Sequence, residues 1–221
     1  MPRRSPQILV QLLQAQPHAE FRDLQKALGN PSDATVFRYL KQIPYRSSYN
    51  LSGRYYALHV PTRYDRWGLF STGIAHFSTD GTAKATVTRL VCKSEAGWTQ
   101  KELADLMRVR VQLFLLEAVR EGAIEREQFG RFFIYFHKDP ERRAEQRRRR
   151  QEMLATDNAV EASVDHETVI RVLLVLLRHP GSRPGEVVRY LVGRAPPITR
   201  AQVDVVFTRY RLDEKGGPSI Y

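Results

Sequence analysis

The stretch Thr35–His59, TVFRYLKQIPYRSSYNLSGRYYALH, decides how the chain is read. Its first third has helical spacing: with Ser32 as the expected cap, a helix over Asp33–Ile43 places Val36, Leu40 and Ile43 on one face. Thr35, Arg38, Lys41 and Gln42 then lie on the outer face. The remainder alternates as two strands, YRSSY and RYYALHV, joined by NLSG, where Gly53 supplies the backbone freedom of a hairpin turn. Arg46 and Arg54 fall on that hairpin, and no acidic residue occurs anywhere between Thr35 and His59.

Upstream, SPQILVQLLQAQ sets Ile8, Leu9, Leu12 and Leu13 at helical spacing behind Ser5 and Pro6. AEFRDLQKAL predicts a second helix that ends at GNP. Helix, helix, helix and hairpin together make a winged helix over residues 1–62. About eighty residues later the same order returns, which marks an internal repeat. KATVTRLVCKS, TQKELADLM with Thr99 and Glu102 in capping-box spacing, VQLFLLEAVREG, and a hairpin turning at Phe129-Gly130 form a second module. The aromatic segment between them, TRYDRWGLFSTGIAHFSTDG, reads as a hairpin whose Trp67, Phe70 and Phe77 dock the modules, with stacking on bases as the alternative, and the second domain spans 63–138. A basic helix and linker follow over 139–165, then three helices over 166–221. The fold class is mainly α with small β-hairpins: tandem winged-helix modules plus a C-terminal helical bundle.

The net charge is +11 and the pI about 10. A field of that sign concentrates polyanions around the surface, so nucleic acid is the leading partner. Residues 1–64 hold nine Lys+Arg against three Asp+Glu, whereas residues 82–138 hold ten against seven, so the excess sits at the amino end. No apolar run is long enough to span a membrane, the first residues lack the pattern of a secretory signal, and a cytoplasmic, nucleoid-associated protein is expected. Cys92 is the single cysteine, which leaves no internal disulfide and no multi-cysteine metal site. No glycine-rich phosphate loop occurs and the six histidines lack ligand spacing, so neither a catalytic site nor a cofactor is expected. LLRHPGSR with Tyr210 partly resembles the active-site residues of tyrosine recombinases. The accompanying catalytic positions are missing, and Tyr210 falls at helical spacing from Val203, Val206 and Phe207, as a core aromatic would.

SDATVFRYL resembles the start of recognition helices in bacterial helix-turn-helix regulators. That resemblance implies that Thr35, Arg38, Tyr39 and Gln42, with Lys41 beside them, face a major groove, and that Arg46 and Arg54 meet phosphates or the minor groove. The second module departs from the pattern. Its third helix offers Arg110 and Arg120 but also Glu117, Glu121 and an outward Leu113, and Glu125 and Glu127 open its hairpin. Arg126 and Arg131 are its expected contacts. Arg147, Arg148, Arg149 and Arg150 cover every side of a helix and read as a polyanion clamp, set against the plainer reading of a solvated helix with i,i+4 pairs such as Asp139–Arg143 and Glu145–Arg149. The near-continuous Leu173, Leu174, Leu176 and Leu177 suggest either a homodimer through the C-terminal helices or the core of the third bundle. The expected function is sequence-specific binding of double-stranded DNA by a transcription regulator or an accessory factor of a mobile element or defence system. An RNA-binding protein and a protein-interaction adaptor stay open beside it.

Overall fold

A computed structural model describes residues 4–130, 132–193 and 195–212. About 55% of the chain is helical and 15% lies in small antiparallel sheets, a mainly α fold with β-hairpins. It divides into two compact units, one ending at Arg149 and one beginning at Arg150.

In the first unit, α1 (Pro6–Ala15), β1 (Ala19–Glu20), α2 (Phe21–Ala27), α3 (Asp33–Leu40), β2 (Tyr45–Ser47) and β3 (Tyr55–Leu58) succeed one another. The strands form one antiparallel sheet in the order β1-β3-β2. Leu9 and Leu13 of α1, Leu24 of α2, Val36 and Leu40 of α3 and Leu58 of β3 close a common core. Two local features differ from the sequence reading. Ala19 and Glu20 leave the second helix to pair with Tyr56 and Tyr55, because the β3 edge offers ladder partners that an exposed first helical turn lacks. Helix α3 stops at Leu40 rather than Ile43: Pro44 has no N–H to return to Leu40, and a residue preceding proline avoids the helical region.

The order repeats as α4 (Ala83–Lys93), β6 (Trp98–Thr99), α5 (Gln100–Met107), α6 (Gln112–Arg120), β7 (Ile124–Phe129) and β8 (Phe132–His137), with sheet order β6-β8-β7. Thr99 and Glu102 form the expected capping box: the Glu102 N–H donates to Thr99 Oγ1 at 3.1 Å and the Thr99 N–H to the Glu102 carboxylate at 2.7 Å. Between the modules, β4 (Leu69–Thr72) and β5 (Ala75–Ser78) pair as a hairpin. Phe77 is fully buried against Phe70, and the Trp67 ring meets Trp98 edge-on at 5.4 Å. The Tyr49 phenol reaches from the first module to the Met107 carbonyl of the second at 2.8 Å. Burial holds that phenol up at about 12, so it remains a donor at every physiological pH.

His76 on β5 is 8% exposed, with its Nδ1 2.9 Å from Ser71 Oγ. Burial, reinforced by the Arg108 charge, lowers its pKa below the ordinary 6.5, and burial with Arg46 does the same to His59. The unfolded chain therefore takes up protons at higher pH than the folded chain. The stability these two groups contribute is complete above about pH 6.5 and is lost as pH falls through their lowered folded values. The expected result is a melting temperature that drops on acidification from about pH 8 to about pH 5.5, with a shallower drop in His76→Gln; equal drops would remove His76 from the account.

Helix α7 (Pro140–Ala162) crosses the boundary between the units and continues through residues 155–162, where acidic and small residues suggest a linker; residues 151–159 are all exposed. In the second unit, α8 (His166–Arg178), α9 (Pro184–Leu191) and α10 (Arg200–Tyr210) pack around Val172, Val175, Val187, Leu191, Val203, Val206 and Phe207. Tyr210, expected in that core, is 44% exposed. No helix among the described residues is long and apolar enough to cross a membrane.

Candidate nucleic-acid interface

Because α3 buries Val36 and Leu40, the opposite face of this eight-residue helix is fixed, and it carries Ala34, Phe37, Arg38 and, just past its end, Lys41 and Gln42. All five are exposed. The Arg38 guanidinium lies over the Tyr39 ring, 5.4 Å from its centroid, which steadies it without using its hydrogen-bond donors. The Gln42 amide donates to the Arg38 carbonyl at 3.1 Å, closing a helix end that would otherwise leave that acceptor open. Asp33, the sole acid of the helix, lies at its first turn and accepts from Gln25 Nε2 at 3.1 Å.

The other residues expected on this face sit elsewhere. Thr35 is half-buried, and its Oγ1 pairs at 3.1 Å with Ser32 Oγ. Ser32 occupies the N-cap position without a side-chain bond to the helix backbone. Tyr39 lies against the core of α1 and β3, with its hydroxyl 3.4 Å from the Arg4 carbonyl. Both lie on one flank of the buried face, Tyr39 about 80° and Thr35 about 120° around the helix from the middle of the Val36–Leu40 line. Phe37, which sequence reasoning passed over as a site residue, is 42% exposed and packs on Phe21 at 5.0 Å between ring centroids.

Arg46 does not point outward from the hairpin. Its Nε and Nη2 donate to the Thr79 carbonyl at 3.1 and 3.0 Å and its Nη1 to the Tyr45 carbonyl at 3.0 Å, so it ties β2 to the end of β5. Arg54 is exposed but pairs with Glu20 at 3.0 Å, so the hairpin is less basic than its sequence implies.

In the second module Arg110 is exposed in the turn before α6, two residues short of the helix. The outward face of α6 presents Leu113 at 71% exposure and Leu116 at 37%, beside Glu117 and Arg120. Lys84 binds Glu121 and lies 3.9 Å from Glu117. Glu125 and Glu127 do not leave the β7–β8 hairpin negative. Arg147 grips Glu127 through two bonds, at 2.8 and 2.5 Å, and Arg143 lies 3.6 Å from Glu127 and 3.9 Å from Glu125. Arg126 stacks over Phe133 at 4.4 Å, near the exposed tip residue Phe132. Arg131 lies outside the described residues.

The arginine run is engaged within the fold rather than spread around a bare helix. Besides the Arg147 pair, Arg149 bonds Glu95 and Glu145 at 3.0 Å each, Arg148 is exposed and Arg150 is 6% exposed. The i,i+4 pair Glu145–Arg149 forms as its spacing predicts. Asp139 instead caps the helix by accepting the Arg142 N–H at 3.1 Å, and Arg143 turns to β7.

Within the run, Gln146 is the residue whose role the sequence conceals. It is 4% exposed, accepts the His137 N–H at 2.7 Å, and donates to the carbonyls of Val91 at 3.0 Å and Ser94 at 2.8 Å. Gln146 and Gln151 are both neutral amides in this charged run, one buried and one exposed, and local pattern does not separate them. The outward face of α3 thus carries two exposed cations, Arg38 and Lys41, with the Gln42 amide beside them. No protein-family model matches the chain, and no curated protein is similar to it.

Proposed function

We propose that the chain is a non-catalytic, sequence-specific double-stranded DNA-binding protein, a transcription regulator or an accessory factor of a mobile element or defence system, with two tandem winged-helix modules in its first unit. Support for the fold comes from the order α, β, α, α, β, β and the three-stranded antiparallel sheet that both halves repeat. The observation that carries the function is the exposed end of α3, where Arg38, Lys41 and Gln42 stand together in a stretch, 35–59, that holds no acidic residue. A major groove admits one helix, an arginine can bond guanine twice, a glutamine can do the same with adenine, and an exposed ring such as Phe37 suits a thymine methyl. Gln42 would exchange its bond to the Arg38 carbonyl for one to a base.

A second reading applies to the second module alone. Leu113 and Leu116 with Glu117 make α6 a poor match for phosphate and a good one for protein, which leaves Arg126 on the neutralised hairpin as that module's contact with nucleic acid.

Binding of the purified chain to a random duplex pool and to matched single-stranded RNA, across a range of salt and followed by sequencing, tests the proposal. An enriched duplex motif supports it, and tighter binding to RNA refutes it. On the selected duplex, Arg38→Ala is expected to cost about 1–3 kcal/mol at one base position while leaving other positions unchanged. A uniform loss across all sequences would reduce Arg38 to a phosphate contact.

A further inference from the structure

Helix α8 has two apolar faces. Thr168, Val169, Val172 and Val175 close the core of the second unit, while Ile170, Leu173, Leu174 and Leu177 stand 56%, 38%, 46% and 78% exposed on the other side. Contiguous apolar exposure on this scale marks an interface.

We propose that this stripe is covered by the same stripe of a second copy, with the two α8 helices antiparallel about a twofold axis between Leu173 and Leu174. The first argument is spacing. The intervals 170-173-174-177 read three, one, three in either direction, so a reversed helix presents the same pattern: Ile170 faces Leu177 and Leu173 faces Leu174. A reversed copy therefore matches the stripe row for row, as a twofold contact requires.

The second argument is charge. Glu167 in the first turn and Arg178 in the last are both exposed. Eleven residues at 3.6 per turn bring them within about 20° of each other around the helix, on one flank of the stripe. Rotation about the proposed axis keeps that flank on the same side and reverses the helix. Glu167 of one copy then falls within two residues, about 3 Å along the axis, of Arg178 of the other. The contact forms twice, once at each end, whereas a parallel arrangement would put the two Glu167 on opposite sides of the contact and leave both Glu167–Arg178 pairs unmade. The inference is independent of what α3 binds.

Sedimentation equilibrium of the full chain without nucleic acid, over a hundredfold range of concentration at near-physiological salt, tests it. The wild-type chain is expected to dimerise. Leu174→Glu is expected to weaken the dimer at least tenfold. Glu167→Arg and Arg178→Glu are each expected to weaken it several-fold, and the double variant Glu167→Arg/Arg178→Glu to regain most of the loss. Because the four stripe residues and both charges are exposed, far-ultraviolet circular dichroism should be unchanged in every variant, and melting compared at a concentration too low for the dimer should shift by no more than a few degrees. Should Leu174→Glu fail that check, the charge reversals carry the test alone. A chain that stays monomeric at every concentration, a dimer indifferent to these changes, or a double reversal weaker than either single one would overturn the proposal. The first of these outcomes would assign the stripe to a different protein.

Discussion

Gly97→Ala is expected to destabilise the first unit by about 2–5 kcal/mol. Gly97 has φ +67°, where a side chain costs about 1–2 kcal/mol. A Cβ there would also stand 2.6–2.7 Å from two carbons of the Phe136 ring and from the Tyr135 carbonyl. Neither can retreat at low cost: Phe136 is fully buried, and the carbonyl belongs to the strand that pairs with Trp98. Forcing a methyl into such packing typically adds about 1–3 kcal/mol. Gly122→Ala is the matching control, because it shares the positive φ of +65° but has nothing within 4 Å of the added carbon. It should lose only the backbone contribution of about 1–2 kcal/mol. The chain's two tryptophans, Trp67 and Trp98, lie in contact within this unit, so their fluorescence in a urea titration reports it specifically. Equal losses in the two variants would mean that the Phe136 ring can move aside.

Gln146→Ala should cost about 3 kcal/mol, far more than a change in the exposed Arg147 beside it. Removing the amide leaves the part-buried N–H of His137 and the part-buried carbonyl of Ser94 without this partner, and an orphaned group of this kind costs about 1–3 kcal/mol where water cannot replace the bond. Val91 is spared in part, since Ser94 Oγ also donates to its carbonyl at 2.9 Å. Gln146→Leu fills the volume and should recover little, which separates the polar loss from a cavity effect. Arg147→Ala, by contrast, breaks an ion pair that is 45% and 24% exposed on its two sides, a change expected to cost under about 1 kcal/mol. The readouts are the tryptophan transition and hydrogen exchange of the first turns of α7. An Arg147 variant as damaging as Gln146→Ala would place the docking of α7 on its charges rather than on its buried amide.

These two positions show where the sequence stops being legible. Periodicity located the helices because burial of one face leaves a regular trace in composition: Leu9 and Leu13, Val36 and Leu40, and Val203, Val206 and Phe207 are apolar where the fold needs them buried. The repeat was visible for the same reason, as was the Thr99 capping box, whose partners are three residues apart. Strands β1 and β6 left no trace, since two residues carry no period and their reason for extending is a β-hairpin more than thirty residues away.

The candidate interface divides along the same line. That Arg38, Lys41 and Gln42 face outward follows from the apolar residues of their own helix, so the sequence by itself determined it. The fates of the other cations required the tertiary structure. Arg46 turns to Thr79, Arg54 to Glu20, Arg147 to Glu127 and Arg149 to Glu95, partners 20 to 54 residues distant. Net charge is a sum over the chain and survives folding, which is why +11 already pointed to a polyanion. Which of those charges remain open to one depends on long-range pairing, and local pattern holds no record of it.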